Sequence, residues 1–210
     1  MGEGSVLDRL RRDILDGVFS PGERLVEVEL SERYDCGRAA IRSALLQLES
    51  EVLVDRKANK GAAVHRISVE EAIEITEARR ALESLVAAMA AQRSTEETAA
   101  SLLDVIERMR QAVDSDDATA YSRLNRRLHD ELLAMSDHAV ATDLVRNLRD
   151  RGVQNQFRLA MMPGRQKESM QQHAAIVDAV VAGDSAKAAA AMSDHLDSVI
   201  DMLSRWADPG

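Results

Sequence analysis

The sequence predicts a mainly α protein in two parts. Residues 1–66 form a small unit of three helices and a hairpin, and residues 67–210 an all-α antiparallel bundle. Three observations carry this reading. Aromatic residues make up only 2% of the 210 residues, while hydrophobic residues reach 45% and are mostly Ala, Leu, Val, Ile and Met. A core of that kind is built helix on helix, because β-rich chains lean on aromatic and β-branched side chains. Strand-like runs are confined to residues 52–55 and 62–65, and everything after them has the texture of long, Ala-rich amphipathic segments.

Taken in order, the first helix spans about 5–16, with Val6, Leu10, Ile14 and then Val18 at helical spacing. Gly17 and the Ser20-Pro21-Gly22 turn end it. A second short helix covers 26–34, with Leu30 and the preceding Leu25 facing inward, and Asp35-Cys36-Gly37 makes a tight connection. A third helix runs over 38–50 and buries Ile41, Leu45 and Leu48. Asn59-Lys60-Gly61 between the two strand-like runs is a hairpin turn, since Asn and Gly accept positive φ. Three helices followed by a hairpin make a winged helix-turn-helix. Six bundle helices follow near 69–92, 94–114, 117–136, 138–161, 166–182 and 184–206. The breaks between them are rich in Ser, Asp, Pro and Gly, as at Asp114-Ser115-Asp116 and Gly183-Asp184-Ser185.

Charge is distributed unevenly. The whole chain carries a formal −9, but residues 1–66 hold 11 basic and 12 acidic residues, a net of −1, which leaves −8 for the remainder. The first third is therefore permissive for a nucleic-acid partner despite the acidic total. A single cysteine, Cys36, excludes an internal disulfide framework, and no apolar stretch approaches membrane-spanning length. The opening residues lack a signal-peptide core, and a cytoplasmic location is expected.

In a helix-turn-helix the third helix enters the major groove, with its inner face on the core and its outer face on bases and phosphates. Arg38 and Arg42 sit one turn apart there, and Ala39 and Ala40 keep the surface low enough for close approach. Arginine at such positions reaches guanine O6 and N7 bidentately or bridges phosphates. Ser43 beside them and Asn59, Lys60 and Gly61 at the wing tip complete the candidate DNA-binding set, with Arg9, Arg11 and Arg12 as further phosphate contacts.

Five histidines occur, at 65, 129, 138, 173 and 195. Asn125 and His129 are four residues apart and project from one helix face. Together with His173 and His195 they come from three separate helices, which a bundle can bring to one level. Spacing alone leaves open whether these are metal ligands or separate buried polar groups. No HExxH, Ser-His-Asp or Cys-His arrangement is present, and an enzyme is not expected.

The stretch GVFSPGERLVEVELSERYDCGRAAIRSALLQLESEVLV, with NKGAAV after it, resembles the N-terminal domain of the GntR family of bacterial transcription regulators. It matches the family pattern at Pro21, Gly22, Leu25, Leu30, Arg38, Arg42, Ala44, Leu45, Leu48, Leu53 and Gly61. Departures are Gly37 for a usual Ser or Thr, Ala39-Ala40 for Thr-Pro, Ser43 for Glu and Val52 for Gly. The stretches EARRALESLVAAMA, NRRLHDELL, QQHAAIVDAVVAGD and AAAAMSDHL are similar to the helical effector domain of the FadR-type branch, the FCD domain. The resemblance implies a divalent metal, zinc by preference, on Asn125, His129, His173 and His195, with Asn125 standing where Asp is commoner and Gln172 where Glu is frequent before His173. It also implies a small carboxylate effector for which Arg79 is a clamp. The whole is then a metabolite-responsive regulator, a repressor by preference, binding a pseudopalindromic operator as a dimer. The alternative is a metal sensor in which the ion itself is the signal.

Overall fold

A computed structural model describes residues 5–57, 61–160 and 164–207 of the chain, with side chains over 5–56, 61–152 and 164–205. The chain divides into two compact units. One comprises residues 1–68 with Asp150–Gln154, and the other Val69–Arg149 and Asn155–Gly210.

The first unit contains helices α1 (Val6–Leu15), α2 (Glu27–Tyr34) and α3 (Arg38–Ser50) and strands β1 (Arg24–Leu25), β2 (Val54–Lys57) and β3 (Gly61–Val64). Leu10, Ile14, Leu25, Leu30, Ile41, Leu45 and Leu48 meet in its core together with Phe19 and Tyr34. The helices are also tied by polar struts. Arg11 makes a bidentate pair with Glu51, at 2.8 and 2.7 Å, joining α1 to the end of α3. The Tyr34 hydroxyl donates to Asp13 at 2.6 Å, joining α2 to α1.

Three details of the sequence reading are corrected here. Val18 is 46% exposed rather than on the buried stripe. The helix has already ended at Leu15, and Gly17 in a left-handed conformation breaks the register. The strands lie at Val54–Lys57 and Gly61–Val64, offset from the expected runs. They share a three-stranded sheet of order β1-β3-β2 with a strand that the sequence reading did not contain. That strand pairs Arg24 with Ala63 and Leu25 with Ala62; two residues are too few to show an alternation.

The turn out of α3 accounts for the Val52 departure. The Leu53 N–H donates to Leu48 O at 2.9 Å and the Val52 N–H to Glu49 O at 3.0 Å, the paired bonds of a Schellman cap. Its left-handed position is normally glycine, and here it is Val52 at φ +59°. A β-branched side chain crowds the backbone in that region.

The second unit is built from α4 (Val69–Gln92), α5 (Glu96–Asp114), α6 (Ala118–Ser136), α7 (Ala139–Ala160), α8 (Arg165–Val181) and α9 (Ser185–Ala207). Thr95 and Thr98 form a reciprocal capping box at the start of α5, and the Asp117 carboxylate accepts from the Ala120 N–H at the start of α6. The most extensive packing is α4 on α9, where Ala87, Ala90, Ala91 and Ala188 are fully or nearly buried and let the two backbones approach. α8 packs on α9, α5 and α4, and α6 packs on α5 and α4. Leu102, Met109, Leu128, Leu132, Leu133, Ile176, Met192 and Leu196 fill the core. These contacts bring one turn each of α4, α6, α8 and α9 to a common level.

Val52→Gly removes the left-handed strain and costs some backbone entropy. The expected net is roughly 0.5–1 kcal/mol of added stability for the first unit, read as a higher midpoint in denaturant titration.

Candidate functional site

At that common level the bundle interior becomes polar. His129 on α6, His173 on α8 and His195 on α9 are 2%, 0% and 5% exposed. One ring nitrogen of each lies within 4.8 Å of the others, and ring centroids are 4.4–5.8 Å apart. Each Nδ1 has a partner. His129 Nδ1 donates to Glu83 Oε2 at 2.8 Å, and His195 Nδ1 to Gln172 Oε1 at 2.9 Å. His173 Nδ1 lies 3.3 Å from both the Tyr121 hydroxyl and Ser169 Oγ. A carboxylate, an amide oxygen and a hydroxyl pair thus engage the three rings by the Nδ1 edge, which leaves each Nε2 as the nitrogen open to a ligand. His173 Nε2 and Asn125 Oδ1 are buried with no hydrogen-bond partner. Buried polar atoms are seldom left unpaired, and His173 Nε2 belongs to a cluster of three imidazoles that could hold a metal ion.

The residues around the triad carry charge. Arg79 Nε donates to Glu83 Oε1 at 2.7 Å, so both oxygens of Glu83 are used. Burial by itself would raise the Glu83 carboxyl, but Arg79, Arg149 and His129 outweigh it and hold the group well below the usual carboxylate range. Arg149, 11% exposed, has a buried Nε without a partner and reaches the half-exposed Asp130 at 3.6 Å. Arg165, 6% exposed, donates to Ser198 at 2.7 Å. Burial lowers the pKa of all three imidazoles. Arg149 adds to this at His129 against the pull of Glu83, and neighbouring histidines and arginines add to it at His173 and His195. Burial also pushes the Tyr121 phenol up to about 12, which keeps it neutral.

The second candidate surface lies on the first unit. Arg38, Ala39, Ala40, Arg42 and Ser43 are all exposed at the N-terminal end of α3, while Ile41, Ala44 and Leu45 face inward. Gly37 caps the helix without a side-chain bond. Arg42 is held by Glu27 at the start of α2, Nη2 to Oε2 at 3.0 Å. Gly61 opens β3 at φ +80°, where glycine alone is unstrained, and a Cβ there would meet nothing within 4 Å. Asn59 and Lys60 lie outside the described residues.

Comparison with known proteins agrees with this architecture. Residues 3–64 match the bacterial regulatory proteins of the gntR family, and residues 74–198 match the FCD domain. The chain belongs to the GntR family of transcription regulators, with an FCD domain as its second part. It is 28% identical over 197 residues to the HTH-type transcriptional repressor RspR of Escherichia coli K12, covering 92% of this chain and 85% of that one. It is 27% identical over 169 residues to the gluconate operon transcriptional repressor of Bacillus licheniformis, covering 80% of this chain and 68% of that one. E. coli McbR/YncC has the same fold, with a TM-score of 0.82 at 21% identity over 99% of this chain and 100% of that one. The GntR family consists of DNA-binding regulators, not enzymes.

Within this GntR regulator the structure brings His129, His173 and His195 together, leaves Asn125 Oδ1 buried without a partner one helical turn before His129, and links Arg79 to His129 through Glu83. The other two histidines lie elsewhere. His65 pairs with Asp55 at 2.8 Å, and His138 Nδ1 accepts the Ala141 N–H at the start of α7. Arg11, taken from sequence as a phosphate contact, is occupied by Glu51, and Arg9 donates to Tyr34 O at 3.3 Å. Sequence reasoning missed Arg149, Arg165 and Tyr121 as neighbours of the triad. It also missed the partner of Arg42, although Glu27 opens a helix that must pack beside α3.

The histidine shifts set a pH dependence. A group whose folded pKa is depressed contributes stability above its unfolded pKa and loses it as pH falls. The ordinary histidine value is 6.5, so the metal-free second unit is expected to lose stability below about pH 6.5, by of order 1 kcal/mol per buried histidine for each further pH unit. Glu83 adds a second loss below its ordinary 4.5. Thermal unfolding of chelator-treated protein between pH 7.5 and 5 reads this; a flat profile would mean the imidazoles are not buried as neutral groups.

Proposed function

We propose that this chain is a dimeric cytoplasmic repressor whose operator affinity is set by a small organic acid bound at a metal centre in the helical unit. The observation that carries the reading is the pair of orphaned buried acceptors, His173 Nε2 and Asn125 Oδ1, beside two more imidazoles whose Nδ1 edges are already engaged. Bonds of about 2.0–2.1 Å to one ion hold neighbouring nitrogens about 3 Å apart, so small ring rotations close a set that spans 4.8 Å. Three imidazoles and an amide oxygen suit zinc, and an external ligand would enter by expanding the coordination beyond four. When bound, the ion supplies a Lewis-acid anchor for a carboxylate. Arg79, held through Nε by Glu83, keeps its terminal nitrogens for that carboxylate and is the proposed clamp.

Repression is supported by the names of the two relatives above, both repressors. On the DNA side, Arg38, Arg42 and Ser43 are the α3 residues for bases and phosphates, and Asn59, Lys60 and Gly61 of the wing tip take the backbone or a minor groove. A single recognition helix reads only a few base pairs, so two-fold pairing of chains extends the site to a pseudopalindrome. The effector then acts by binding the DNA-competent and incompetent arrangements with different affinity. A sensor of metal alone is the weaker reading, because three arginines around the site serve an anion and not a cation.

Two outcomes test the two halves. Arg42→Ala is expected to weaken operator binding roughly ten- to a hundredfold by electrophoretic mobility shift, the loss of one bidentate base contact; unchanged affinity would remove Arg42 from the interface. His173→Ala is expected to lose stoichiometric zinc by elemental analysis while keeping wild-type operator affinity in the absence of effector. Full zinc occupancy in that variant means the ligand set is wrong.

A further inference from the structure

The charge of the site does not balance. The four candidate ligand atoms are all neutral, three imidazole nitrogens and the Asn125 amide oxygen. The carboxylate buried among them, Glu83, is already divided between Arg79 and His129. Three guanidinium groups surround the triad against this one carboxylate: buried Arg79, paired with Glu83; Arg149, 11% exposed with its Nε unpartnered, whose charge also acts on Glu83; and buried Arg165 on α8, whose charge is felt at both His173 and His195. Their other acidic neighbours, Asp130 and Glu168, stand about half exposed at 3.6 Å and are screened by solvent. Among the described residues the pocket therefore has a net excess of two positive charges before any ion enters, and a divalent cation would raise it to four. Like charges in a low-dielectric interior repel strongly, and neither solvent nor counter-ion screens them well.

We infer that divalent metal and organic anion bind this site cooperatively, each raising the affinity of the other, because Asn125 withholds the negative charge that would hold the ion more tightly alone. The inference rests on the metal-centre reading above and adds its regulation: the regulator registers metal and acid together. With an aspartate at 125 the ion would be part-neutralised by protein and retained without the acid. With asparagine the neutralising charge has to come from the anion, which meets the ion on one side and the unbalanced arginines on the other. By linkage the acid's apparent affinity must then rise with zinc by the same factor.

The test is a zinc titration of full-length, metal-stripped protein against a chromophoric chelator, in buffer alone, in acetate, in succinate, and in perchlorate at matched ionic strength. Wild-type protein is expected to bind zinc about tenfold or more tightly in acetate or succinate than in perchlorate. Asn125→Asp is expected to tighten zinc by a similar factor without any acid and to shrink the acid-linked gain to about threefold or less. Arg165→Gln, which removes one unbalanced charge without touching a ligand, is expected to move both quantities in the same direction and carries the test if Asn125→Asp misfolds. Stoichiometric zinc binding of equal strength in all four buffers overturns the pairing, as does a full acid-linked gain in Asn125→Asp or an equal gain in perchlorate. Absence of zinc binding by both wild type and Asn125→Asp overturns the metal-centre reading instead.

Discussion

The bond between Glu83 and His129 is the constraint on which the helical unit turns. An ionised carboxylate nearly sealed from water is tolerated only when both oxygens are satisfied, and here Arg79 takes one and His129 the other. That single group ties α4 to α6 and fixes the tautomer of His129, whose ring lies 5.4 and 5.8 Å from those of His173 and His195. A polar layer of this kind survives in a core of Leu, Ala and Met because the layers of Leu128, Leu132, Ile176, Met192 and Leu196 exclude water from it. The same exclusion makes each charge in the layer count for more than it would at the surface.

Arginine serves opposite purposes in the two units. In the first, Arg11 is a strut, spent bidentately on Glu51 to hold α1 against α3, which leaves the start of α3 to present Arg38 and Arg42 outward. Glu27 holds Arg42 by an exposed pair, worth little in stability, that limits where its guanidinium points before it meets DNA. In the second unit Arg79, Arg149 and Arg165 are turned inward, and at Arg149 and Arg165 desolvation is only partly offset by protein partners. Buried arginines with too few carboxylates store a demand for an anion.

The departures from the family pattern that the sequence displays acquire physical meaning once the fold is seen. Val52 occupies the left-handed position of a helix cap that glycine fills without strain. Gln172, in place of a carboxylate, keeps the hydrogen bond to His195 and gives up its charge. Asn125, whose buried Oδ1 has no partner, gives up a charge at the fourth position of the proposed ligand set. Two of these three changes lie in one layer and act in the same sense, toward a more positive site.

The order of helices, the hairpin, the outward arginines of α3 and the shared face of Asn125 and His129 are local properties. A 3.6-residue repeat, a cap residue or a Pro-Gly turn acts over a few positions, and the chain's letters show it directly. What the letters do not hold is which helix turns neighbour which. Glu83 meets His129 across 46 residues, Gln172 meets His195 across 23, and Tyr121 meets His173 across 52. Arg149 and Arg165 join the same layer only because the packing of long helices carries those turns to its level. The two-residue β1 was hidden for a related reason, since its only signature is its pairing with β3. Sequence therefore determined the elements and the kinds of side chain available, and tertiary packing decided the charge balance of the site, because that balance is a sum over residues that only folding brings together.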